Sequence, residues 1–112
     1  MNTFTKRNLK EIPIEEAHGG RGSRQLLFTQ SHLNGNSLDA ITKGFLPANS
    51  VFDWHNHIDI DEMFIVLKGK GKFYCEKEET DYAEGDVFST PANLSHKIEA
   101  TEDSEFYFIR VK

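Results

Sequence analysis

From Leu26 onward the chain consists of short apolar segments, four to eight residues long, that alternate with turn-forming residues and show no helical period. Strands are expected at Leu26–Thr29, Leu38–Phe45, Val51–His57, Glu62–Leu67, Lys72–Glu76, Val87–Thr90, Ser95–Glu99 and Glu105–Val111. Asn34-Gly35, Lys68-Gly69-Lys70-Gly71, Glu84-Gly85-Asp86 and Pro91-Ala92-Asn93 separate them, and each offers residues that tolerate positive φ or preset a turn. Many short strands at this spacing close into an all-β sandwich or barrel. At 112 residues the chain has room for one such core.

The segment Glu62-Met63-Phe64-Ile65-Val66-Leu67 is apolar on both strand faces: Glu62, Phe64 and Val66 share one, and Met63, Ile65 and Leu67 the other. A strand with water on one side alternates instead. A second sheet, the N-terminal segment with Ile12 and Ile14, or a second subunit must therefore cover the outside. Phe106-Tyr107-Phe108-Ile109 has the same two-sided character, which favours a homodimer.

Charge divides the chain. Residues 1–24 hold five basic and three acidic residues, and the remainder eight basic and fifteen acidic, for a net −5. We read 1–24 as an N-terminal extension and 25–112 as the barrel. Within the extension, Gly19-Gly20-Arg21-Gly22-Ser23 suits a loop. It serves either as a plain connection or as a lid whose Arg21 or Arg24 meets an anionic substrate. An acidic chain without a basic stripe argues against nucleic acid as partner. The longest apolar run, Met63–Leu67, is too short to span a bilayer, and no secretory signal is recognisable. The single cysteine, Cys75, excludes an internal disulfide framework; a cytoplasmic protein acting on a small molecule is the expectation.

The chemistry concentrates in Asp53-Trp54-His55-Asn56-His57-Ile58-Asp59-Ile60-Asp61-Glu62. On a regular strand His55 and His57 project to one side, with Asp53, while Phe52, Trp54 and Asn56 take the other. Two imidazoles on one face make half of a metal site. After the acidic turn at Ile58–Asp61, an antiparallel strand could return Glu62 beside them, and His96 follows the Pro91-Ala92-Asn93 turn.

These residues resemble the two motifs of the cupin family. The first, G(X)5HXH(X)3-4E(X)6G, is matched by His55-Asn56-His57, Glu62 and Gly69, with Asn49 at the leading glycine. The second, G(X)5PXG(X)2H(X)3N, is matched by Gly85, Pro91 and His96, with Asn93 in place of glycine and Ala100 in place of the last asparagine. Asn tolerates the left-handed conformation, so both Gly-to-Asn departures are mild. The resemblance spans residues 49–100. It implies a double-stranded β-helix, that is, a jelly-roll barrel, in which His55, His57, Glu62 and His96 bind one divalent metal. Independently, three imidazoles and a carboxylate suit a borderline first-row ion such as Fe, Mn, Co, Ni, Cu or Zn, against the plainer reading of a metal-free polar cluster.

On this reading the ion leaves two positions open for a bidentate ligand, or for a ligand and O2. The expected function is a metal-dependent enzyme acting on a small oxygenated metabolite. A dioxygenase is one form, and a Lewis-acid isomerase, epimerase or lyase the other. The rival is a non-catalytic binding or sensing module. Candidate proton carriers are Glu62, Asp53, Tyr74 and Tyr107. Phe64, Val66 and Arg24 are expected at the substrate pocket. Asp61 competes with Glu62 as ligand, but only Glu62 keeps the six-residue distance to Gly69. Cys75 reads as a strand cysteine, His18 and His32 as surface residues, and Glu76-Lys77-Glu78-Glu79 as a solvated hairpin tip.

Overall fold

A computed structural model of the chain describes residues 6–17, 22–32 and 37–112. Among the described residues ten strands form: β1 (Glu15–Glu16), β2 (Ser23–Thr29), β3 (Leu38–Leu46), β4 (Val51–His55), β5 (Asp61–Lys68), β6 (Gly71–Cys75), β7 (Glu79–Tyr82), β8 (Val87–Thr90), β9 (His96–Ala100) and β10 (Ser104–Val111). A 3-10 turn at Gln30–His32 follows β2. The turn expected at Asn34-Gly35, with His18 and Arg21, lies outside the described residues.

The strands make two antiparallel sheets, one of six in the order β1-β2-β3-β10-β5-β8 and one of four in the order β4-β9-β6-β7. They face each other across one core, as the all-β expectation required. Period-two alternation sets the inner faces. Phe64, Val66 and Phe106 come from the large sheet, and Phe52, Phe73, Ile98 and Ala100 from the small one. Phe64 and Phe88 stack at 4.7 Å, and Phe73, Phe106 and Phe108 surround Phe64 at 5.5, 6.0 and 5.6 Å.

Three differences from the sequence reading are local. β2 begins at Ser23, three residues before the expected Leu26, because it acquires an edge partner in β1. β7 carried no sequence signal, since Glu79, Thr80 and Asp81 are exposed and only Tyr82 is buried. β4 ends at His55 rather than His57, and its pairing with β9 slips between Phe52 and His55. That bulge adds a residue to the alternation. Phe52 and His55 therefore both face inward, and Asp53, expected beside the histidines, is turned out to solvent.

The two-sided apolar pattern persists on the outer face of the large sheet, where Met63, Ile65, Leu67, Tyr107 and Ile109 are half-buried. Part of that face is covered by the N-terminal segment. Gln25, 5% exposed, donates its side-chain amide to the carbonyls of Leu9 (2.7 Å) and Ile12 (2.9 Å). Ile12 is buried, whereas Ile14 is exposed.

Both motif glycines adopt positive φ, Gly69 at 101° and Gly85 at 90°, and so do the two asparagines in glycine positions, Asn49 at 63° and Asn93 at 71°. The surroundings of the two glycines differ. A Cβ at Gly69 would lie 2.5 Å from the Asp103 carbonyl oxygen and 2.7 Å from the Ser104 Cα, whereas nothing lies within 4 Å at Gly85. Gly85→Ala is expected to cost only the conformational strain, about 1 kcal/mol. Gly69→Ala must also displace the start of β10 and is expected to cost about 2 kcal/mol or more. Urea titration of the two variants side by side checks the difference.

Candidate metal centre

The site lies where the two sheets bring their motif residues together. β4 pairs antiparallel with β9, so His55 stands directly across from His96. β5 carries Glu62 on its inner face, between Arg110 of β10 and Thr90 of β8. The Thr90 hydroxyl donates to the Glu62 carbonyl at 3.1 Å, which fixes the start of the strand.

His57 sits beyond the end of β4, on a loop held by its neighbour. The Asn93 N–H donates to the His57 carbonyl (3.0 Å), the Asn93 side-chain oxygen accepts from the Asp59 N–H (3.1 Å), and the Asp61 carboxylate accepts from the Ala92 N–H (2.8 Å). Asp61, the competing ligand, is thus exposed and engaged with the loop. Asn93 does more than replace a glycine, because its side chain ties the His57 loop to the turn that leads into His96.

One donor atom from each of His55, His57, Glu62 and His96 lies within 4.8 Å of all the others. Glu62 and His96 are buried, 6% and 1% exposed, and the other two are half-buried. His57 Nε2 is 3.3 Å from one Glu62 oxygen, and His96 Nε2 is 3.4 Å from the other. Neither nitrogen is aligned for a hydrogen bond, and both are buried without a hydrogen-bond partner.

The proton positions follow from the other ring nitrogens. His55 Nδ1 contacts the Asp53 carbonyl at 2.6 Å and His96 Nδ1 the Leu94 carbonyl at 2.9 Å. A carbonyl only accepts, so each Nδ1 carries the proton. In the neutral ring, Nε2 is then a bare lone pair. For His96 that nitrogen faces a carboxylate oxygen in a buried place, an arrangement that is favourable only with a proton or a metal cation between them. Donors about 2.1 Å from a common ion stand roughly 3–4 Å apart, so the observed separations require little contraction. Burial pushes the Glu62 carboxyl up, but the adjacent His57 and His96 outweigh this and hold it at about 2. The carboxylate is therefore anionic at neutral pH. These residues fit a divalent first-row ion bound by three nitrogens and one oxygen.

Beside His55, His57 and Glu62, the pocket wall is formed by Ala17, Arg24, Thr42, Phe52, Phe108 and Arg110, with Gly44 and Ile98. Arg24, a substrate-pocket candidate, lines this pocket. Phe64 and Val66 do not reach the wall: both are fully buried in the core, farther along β5 than Glu62. Phe52 and Phe108 supply the apolar surface instead.

The other proton-carrier candidates also fall away from the site. Tyr74 lies on the outside of the small sheet, where its hydroxyl donates to Glu99 at 3.2 Å and Lys97 sits 4.4 Å from its ring centroid. Tyr107 lies on the outside of the large sheet, paired with Lys43 and Ile65. The Asp53 carboxylate accepts from the Trp54 N–H at 2.8 Å.

Sequence reasoning missed Arg110. It was discoverable as the only charge in phase with Phe106 and Phe108 on this strand, Glu105 being out of phase. Thr42 gave no comparable signal.

Comparison with known proteins agrees with this geometry. The cupin-domain family model matches residues 45–112. The oxalate-binding protein of Thermotoga maritima is 31% identical over 101 residues, covering 88% of this chain and 82% of that protein. Among solved structures, a predicted oxalate decarboxylase from Thermotoga maritima superposes with TM-score 0.85 and 25% identity, covering 96% of this chain and 98% of that one. KdgF from Halomonas sp. superposes with TM-score 0.80 and 20% identity over 99% and 94% of the two chains, and shares the fold.

Proposed function

The chain belongs to the cupin family, and from that premise we propose that it is a mononuclear metal-dependent cupin that binds a small oxygenated metabolite, a carboxylate foremost, and acts on it as an enzyme. The observation that carries this reading is the pair of buried Nε2 atoms of His57 and His96, set against the Glu62 carboxylate without hydrogen bonds. His55, His57, Glu62 and His96 would hold the ion. When bound, it supplies Lewis acidity and, if it is iron, oxygen chemistry at the positions the protein leaves open.

The chain's own residues narrow the reaction class. Phe52, Phe108 and Ile98 give the pocket an apolar wall, and Arg24 and Arg110 offer positive charge within it. Among the described residues no tyrosine lines this pocket, and its one carboxylate is Glu62, needed by the ion. An isomerase or epimerase, which must move a proton between carbons, finds no carrier among the described residues of this pocket. Oxidative cleavage with O2 puts no proton on carbon, and decarboxylation takes up a single proton, which solvent can supply, rather than moving one between two carbons. The names of the relatives, oxalate-binding protein and predicted oxalate decarboxylase, support the same substrate class. The missing proton carrier also favours a second reading, a binding module without turnover.

Calorimetry with oxalate, on protein stripped of metal and then loaded with Mn, Fe, Co, Ni, Cu or Zn, tests the proposal. Oxalate is expected to bind the loaded protein much more tightly than the stripped protein. Equal binding by the stripped protein would contradict it. Release of CO2 or consumption of O2 by the loaded protein identifies an enzyme, and binding without either identifies the binding module.

A further inference from the structure

Both arginines of the pocket already carry a counter-ion, and the two pairs differ in permanence. Arg110 Nε lies 3.3 Å from an Asp39 oxygen, with both side chains about one-quarter exposed, and Lys112 approaches the other Asp39 oxygen at 3.9 Å. Arg24 Nε donates to Glu15 at 2.9 Å, but these side chains are 36% and 46% exposed. Ion pairs this open to water are held weakly.

Glu15 belongs to β1, a two-residue edge strand paired with β2, and stands directly across from Arg24. The backbone around it is well anchored. Ala17 is buried in the pocket wall, and its N–H donates to the Gly22 carbonyl at 3.1 Å. Gly22 itself packs so closely on Phe52 that a Cβ there would fall 2.2 Å from the ring. The Glu15 side chain can therefore swing into solvent while the strand that carries it stays in place.

We propose that Glu15 is a built-in counter-ion that an incoming ligand carboxylate displaces from Arg24, and that Arg24 thereby selects dianionic over neutral ligands. The inference rests on the metal-and-carboxylate reading of the same pocket. Charge supports it. Glu62, Arg24, Arg110 and a divalent ion sum to three positive charges, and Asp39 compensates one. Two remain once Glu15 has left, which a dianion satisfies. The guanidinium offers a carboxylate two parallel N–H donors, whereas a neutral oxygenated ligand gives it no charge to pair with.

The test is titration of Mn-loaded and metal-free protein with oxalate and with its neutral isostere oxamide. Four proteins are compared: wild type, Glu15→Gln, Arg24→Gln and the double variant. Removing the competing carboxylate is expected to tighten oxalate binding by about two- to fivefold and to leave oxamide unchanged. Arg24→Gln is expected to weaken oxalate by about ten- to hundredfold, and in its background Glu15→Gln should have no further effect. Affinity for Mn alone should be the same in all four, since neither residue belongs to the donor set.

Oxalate binding that is unchanged or weaker in Glu15→Gln overturns the proposal, as does a gain that persists without Arg24. Failure of the wild type to bind Mn would overturn the metal reading instead. The order of the four proteins toward oxalate, read on the metal-free protein, would then still decide the role of Glu15.

Discussion

His96→Ala is expected to lower affinity for a divalent first-row metal by more than about 100-fold, because even residues that merely orient a metal's ligands are worth ten- to hundredfold. The fold should survive. His96 occupies the middle of the β4–β9–β6 ladder, where its backbone pairs with His55 on one side and Cys75 on the other, and alanine keeps those hydrogen bonds. Removing the ring also removes one of the two imidazoles, 3.4 Å from the Glu62 carboxylate, that hold it ionised. The metal-free variant is therefore expected to be somewhat less stable than metal-free wild type near neutral pH, and it also loses the packing against Phe73, whose ring lies 6.0 Å away.

The contrast emerges on adding metal. At a metal concentration 100 times the dissociation constant, binding stabilises the wild type by about 2.7 kcal/mol. For a domain of this size that corresponds to about 10 °C in Tm. Thermal melts with and without Mn or Zn should show this shift in the wild type and its loss in His96→Ala. An equal shift in both proteins would mean that the metal binds elsewhere.

The second large effect lies in the core. Phe64→Ala is expected to destabilise the protein by about 3–5 kcal/mol. Phe64 is 0% exposed and lies within 6.0 Å, ring to ring, of Phe73, Phe88, Phe106 and Phe108. These neighbours come from β5's own sheet and from the facing one. The cavity therefore opens between the sheets, where the backbone ladders prevent collapse. Equilibrium urea unfolding measures the loss. Phe108 also lines the pocket, so ligand affinity should fall as well, whereas Phe88→Ala, partly buried at the far side of the same stack, should cost less.

Most of the fold was legible because its signals are local. Turn residues at Gly69, Gly85 and Asn93 stand where the chain reverses, and Asn49 adopts the left-handed conformation that its place in the motif required. The four donors were legible for the same reason: fixed spacing on neighbouring strands becomes proximity once the strands pair. What the sequence concealed depends on departures from regular alternation. The slip between Phe52 and His55 turns Phe52 inward and Asp53 outward, and no residue in that stretch announces a bulge. β1 and β7 are short, exposed edge strands, defined by their partners rather than by apolar pattern. The pocket wall was hardest to read, because Ala17, Arg24, Thr42, Phe108 and Arg110 come from four separate segments that only the order of the large sheet brings together.

The metal content of untagged protein, determined by elemental analysis beside the His55→Ala/His57→Ala variant, tests the central claim most directly. The account predicts about one divalent first-row ion per chain in the wild type and none in the variant. A wild type that holds no metal after reconstitution with Mn, Fe, Co, Ni, Cu and Zn in turn would contradict it.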